Sequence, residues 1–143
     1  MNEDTRLLLK ECDAGTKMAV DTIDQVLPSI HSSDFKNGLK KYRDAHVSFG
    51  DKLHALLSDG DEAAGDIGIM AKASARLMTG FRLMLDDSDK KIASMLTDGC
   101  NMGIKSIEKY LNQYTKASKE ARKTAENIVR LEENMMEDLR PYL

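Results

Sequence analysis

Apolar residues recur three and four positions apart along most of the chain, a spacing that predicts amphipathic helices throughout. A first helix is expected over 3–27, with Leu8, Cys12, Gly15, Ala19, Ile23 and Val26 on one stripe. Pro28 has no amide hydrogen and crowds the turn before it, so that helix should stop or bend there. Ser29 to Ser32 form the connection, and Ser32 or Ser33 can cap the next start. The second helix runs to Leu57, with Phe35, Leu39, Tyr42, His46, Phe49, Leu53 and Leu56 aligned. The turn formers Ser58-Asp59-Gly60-Asp61 end it. Two helices of this length joined by so short a connection imply an antiparallel hairpin (residues 3–57), about 37 Å long.

A third helical stretch is expected over 62–85, carrying Ile67, Met70, Ser74, Leu77, Phe81 and Met84. Asp86-Asp87-Ser88-Asp89 breaks it, and the acids suit a following helix N-terminus. Two more helices, 89–114 and 115–139, make a second hairpin, and Pro141 closes it. The hairpins resemble each other. Leu8, Cys12, Gly15, Lys17 and Ala19 fall on Leu96, Cys100, Gly103, Lys105 and Ile107. Lys41, Asp44, Val47, Phe49 and Leu57 fall on Lys123, Glu126, Val129, Leu131 and Leu139. The expected architecture is a single all-α domain over 1–143, a four-helix bundle from a duplicated helical hairpin with a helical crossover.

Composition narrows the functions such a bundle can have. With 41% hydrophobic and 31% charged residues and only two prolines, the chain has material for a packed core. It has no tryptophan and a net charge of −3, which disfavours nucleic acid and anionic membranes as partners. The first residues, Met1-Asn2-Glu3-Asp4, do not read as a secretory leader, and no apolar run approaches a membrane span. Two cysteines make no disulfide framework. A cytoplasmic location is expected.

Leu96-Thr97-Asp98-Gly99-Cys100-Asn101-Met102-Gly103, with Lys105 and Tyr110-Leu111, resembles the ferritin-like superfamily. More closely it looks like an uncharacterised bacterial ferritin-like family known only as a domain of unknown function. The resemblance implies the bundle fold. In ferritin-like enzymes it also implies two metal ions, held by a glutamate on each of two helices and Glu-x-x-His on the others. No Glu-x-x-His occurs here: the positions three before His31, His46 and His54 are Pro28, Arg43 and Asp51. The glutamate common after the glycine is replaced by Thr16 and Ile104. By the stripe assignment no carboxylate faces inward on the first, second or fourth of the five helical stretches, and the last offers only Asp138. No catalytic residue, cofactor or di-iron centre is expected.

Several side chains have both a functional and a structural reading. His46, mid-helix on an apolar stripe, is a candidate metal ligand or proton acceptor. Its structural reading is a core histidine bonded to a backbone group or to Tyr42, Tyr110 or Thr124. Cys12 and Cys100 read as small buried hydrophobes. A crossover topology would separate them along the axis, against a disulfide or shared metal. Gly15 and Gly103 suggest close helix approach or room for Phe49 or Tyr42. Lys116, Lys119, Arg122 and Lys123 form either an anion or acidic-partner site or a solvated face paired with Glu120 and Glu126. Met70, Met78, Met84, Met135 and Met136 read as core filling or a dimer interface. The expected function is a non-enzymatic binding or structural module, a homo-oligomer with a dimer favoured. A metal-binding oxidoreductase or storage protein around His46, or a carrier of a small apolar ligand, are the alternatives.

Overall fold

A computed structural model of the chain describes residues 1–59 and 88–143; the helix expected over 62–85 lies outside them. The described chain is helical: α1 (Glu3–Val26), a 3-10 turn (Leu27–Ser29), α2 (Ser33–Ser58), α3 (Asp89–Gln113), α4 (Lys119–Leu139) and a final 3-10 turn (Arg140–Tyr142). Local chemistry explains the boundaries. The Asn2 side chain accepts from the Thr5 amide, Ser32 from that of Phe35, and Ser118 from that of Ala121, each satisfying an orphan donor of a first turn. Pro28 sits in the first turn of the 3-10 segment, where its missing N–H costs nothing.

The last helix starts four residues later than its periodicity suggests. Tyr114 leaves the helical region at φ −96° and ψ 66°, and Arg122 donates to the Leu111 and Tyr114 carbonyl oxygens. Those bonds satisfy the end of α3, so residues 114–118 form a corner.

Hydrogen bonds between elements give the helix directions. At one end, the Asn2 side chain donates to the Lys116 carbonyl, the Lys116 amide to Asp4, and the Ser118 amide to Thr5 Oγ1. At the other end, the His31 and Ser32 amides both donate to the Asp89 carboxylate at 2.9 Å. Thus α1 and α4 start together, and α2 and α3 start together at the opposite end. The order is up, down, down, up. Within it α1 packs on α2, α3 and α4, and α4 also packs on α2 and α3.

Two apolar clusters fill the bundle. One joins Leu8, Leu9, Cys12, Leu53, Leu57, Ile107, Leu111, Ala121, Ala125, Ile128 and Val129. The other joins Ile23, Val26, Ile30, Phe35, Leu39, Ile92, Leu96, Cys100, Met135 and Leu139. Each fully buried leucine or phenylalanine contributes about 2 kcal/mol of transfer free energy. Cys12 and Cys100 are buried free thiols in different clusters, which is against a disulfide between them. Met135 is buried in the second cluster with the partly buried Met136 packed against it, so both contribute to core filling. Met70, Met78 and Met84 lie outside the described residues.

Asp89 is the joint between the hairpins, and its carboxyl sits below its ordinary value. Burial pushes it upward, but the two amides it accepts from, with charge from His31 and Lys36, pull it further down. Its contribution is therefore present above the unfolded carboxylate pKa and disappears as pH falls through the lowered folded value. Asp89→Ala should cost about 1–2 kcal/mol in urea denaturation at neutral pH. That difference from wild type should vanish in acid.

Candidate functional site

Midway along the bundle, between the two clusters, α1, α2 and α4 turn polar side chains inward. On α2, His46 lies between Leu39 and Leu53; on α4, Glu132 lies between Val129 and Met135. Asp13 and Thr16 fill the same interval on α1, and Gly103 on α3. His46 and Asp13 are 1% exposed and Glu132 is 8% exposed. This departs from the expectation that no carboxylate faces inward on the first helix and that Asp138 alone could do so on the last. Asp138 is exposed and bonds the Tyr42 hydroxyl at the surface. The reason lies in packing: α1 and α4 each touch three helices, so each buries a broader arc than one narrow stripe.

The central contact is a hydrogen bond between His46 Nε2 and a carboxylate oxygen of Glu132. The other ring nitrogen, Nδ1, lies 2.7 Å from the Tyr42 carbonyl oxygen. A carbonyl can only accept, so Nδ1 carries a hydrogen, and the pair holds one proton between Nε2 and the carboxylate. The expected backbone partner of His46 is thus present, at Tyr42. The carboxylate partner was missed. Thr124 donates instead to the Glu120 carbonyl. Burial opposes charge on the imidazole, but the hydrogen bond and charge of Glu132, with the Tyr42 carbonyl, outweigh it and raise the His46 pKa. Burial and the Glu132 carboxylate together push the Cys100 thiol upward, and burial pushes Cys12 up to about 12, so neither is a nucleophile near neutral pH.

Asp13 is the second inward acid. Its Oδ2 accepts from Lys17 Nζ at 2.7 Å. Its Oδ1 lies 3.0 Å from His54 Nε2, but out of line for a hydrogen bond. His54 is about half exposed and leans over the α1–α2 seam, while Asp51 faces solvent. His31 is exposed and takes part through its backbone.

The glycines differ from expectation. Gly103 faces Glu132, whose carboxylate would lie at an ordinary contact distance of 3.8 Å from an added Cβ, and neither Phe49 nor Tyr42 is the neighbour there. Gly15 faces open surface. Its stripe position belongs to Thr16, whose hydroxyl donates to the Cys12 and Asp13 carbonyls. Of the basic cluster, Arg122 caps α3, and among the described residues none of Lys116, Lys119 and Lys123 pairs with Glu120 or Glu126.

The metal pair implied by the ferritin-like resemblance does not fit these residues. Among the described residues no three His, Cys, Asp or Glu side chains are grouped to hold a cation. His46 and Glu132 use their facing atoms on each other. No family model, curated protein or solved structure matches the chain. No helix among the described residues is long and apolar enough to cross a membrane.

The raised His46 pKa makes stability depend on pH. With a raised folded pKa, the His46 contribution is complete below the unfolded value of about 6.5 and is lost as pH rises through the folded value. Urea midpoints should therefore fall as pH rises above about 6.5. Glu132→Gln should remove that fall, because the amide can donate to a neutral imidazole. Glu132→Ala should cost about 3–5 kcal/mol by stranding a buried partner. By contrast, Gly15→Ala meets no atom and should stabilise by up to about 1 kcal/mol in the same assay.

Proposed function

We propose that the protein is a ferritin-like helical bundle without a di-iron centre, acting through its surface as a non-enzymatic binding or structural module. The parallel start of α2 and α3 at the end marked by Asp89 supports the ferritin-like order. One observation carries the functional reading: the interior acid and base at mid-bundle are spent on each other. A buried histidine that donates from both nitrogens has no lone pair for a metal and none to accept a substrate proton. Its role is to set the register of α2 against α4, as buried polar pairs do in other helical assemblies.

A metal-binding reading has one observation in its favour, that Glu132 and His46 face the interior from different helices with Cys100 close to Glu132. Deprotonated, this pair offers two ligands. Metal analysis separates the readings. Protein purified without chelator, then dialysed against iron or manganese, is expected to retain no stoichiometric metal. Stoichiometric retention lost in Glu132→Gln overturns the non-enzymatic reading.

A further inference from the structure

The outermost face of α4 carries six charges in one line: Lys119, Lys123, Glu126, Arg130, Glu133 and Glu137, all exposed. Their spacing alternates four and three, so at 3.6 residues per turn they lie within roughly 80° of arc. This ribbon lies opposite the buried ladder of Ala121, Ala125, Ile128, Glu132, Met135 and Leu139. Read from its N-terminal end, the sign order is plus, plus, minus, plus, minus, minus. Reversing the direction and inverting every sign returns the same order.

That symmetry has a geometric meaning. Two copies of α4 laid antiparallel about a two-fold axis at the level of Ile128 set Lys119 against Glu137. The same axis sets Lys123 against Glu133 and Glu126 against Arg130. An isologous interface requires this reciprocity, since a contact of one residue with another is repeated in reverse. Within one chain these charges are unused: among the described residues none of the six makes an ion pair. Neighbours of opposite sign, such as Glu126 and Arg130 one turn apart, leave each other free. A shallow recess beside Lys119, Lys123, Glu126, Asn127 and Arg130 keeps the N-terminal half of the ribbon open to approach.

We infer that the exposed charged ribbon of α4 is a homodimer interface, pairing antiparallel with the same ribbon of a second copy. This rests on the surface-acting reading above and names its surface. The partner is a second copy because the complementarity is internal to the ribbon: a generic acidic partner would be repelled by Glu133 and Glu137. Because the interface is polar and solvated, the association is weak and screened by salt.

Sedimentation equilibrium of the full chain tests it. Dimer is expected at about 50 mM salt and weaker association, by about ten-fold or more, at about 500 mM. The double variant Lys119→Glu, Lys123→Glu should be monomeric, as should Glu133→Lys, Glu137→Lys. Mixing the two should restore a heterodimer, because every opposed pair becomes complementary again. The exchange Glu126→Arg with Arg130→Glu keeps complementarity and should dimerise like wild type. Circular dichroism confirms that each variant remains helical. A monomeric wild type at low salt, homodimers of either double variant, or a mixture that stays monomeric overturns the interface. Salt-insensitive dimers in all variants place self-association on another face and leave the surface-acting reading standing, whereas bound stoichiometric metal removes that reading independently.

Discussion

A carboxylate between two apolar clusters must have a donor aimed at it or give up its charge. In this bundle that requirement falls on Glu132, and His46 meets it from the facing helix. Much of the middle of the molecule follows. His46 can donate to Glu132 because its other nitrogen is held by the Tyr42 carbonyl, one turn back on its own helix. Gly103 on α3 lies beside the Glu132 head, where an added Cβ would make only ordinary contact at 3.8 Å. A one-residue slip of α4 against α2 would rotate the acid away and leave the imidazole without its partner. The pair therefore contributes to specificity of packing as much as to stability.

The clusters on either side do different work. They supply the apolar driving force without discriminating finely between registers, since leucine and alanine pack in several arrangements. Directional groups supply the discrimination. Asp89 ties the start of α3 to the start of α2, and residues 2–5 tie the start of α1 to the α3–α4 corner. Polar restraints thus stand at both ends and at the centre, with apolar packing between them.

Much of this was legible from residue order. Pro28, Ser32 and the turn formers after Leu57 mark helix boundaries by backbone chemistry alone, and the structure places those boundaries within a residue or two. His46 was legible because a histidine flanked by Tyr42 and Phe49 on a helical stripe has to be buried. Glu132 was overlooked although it sits on the ladder of Ala121, Ala125, Ile128, Met135 and Leu139. Matching the two hairpins favoured Leu131, and an apolar neighbour drew the stripe one residue aside. Asp13 was hidden similarly beside Cys12. Stripe arguments weigh apolar residues and miss an acid whose partner lies on another helix, 86 positions away in sequence. Gly15 shows the converse error, since a glycine in a helix suggested crowding where the helix meets solvent.

The stitch between the chain start and the α3–α4 corner has a kinetic consequence. Asn2, Asp4 and Thr5 take their partners from Lys116 and Ser118, more than 110 residues later. During synthesis the first turn of α1 has only its own cap until the α3–α4 corner, more than 110 residues later, has emerged. Loop closure over that separation is entropically slow relative to forming either hairpin. The two hairpins can therefore form early and separately, while the seam between residues 2–5 and the α3–α4 corner closes late in folding.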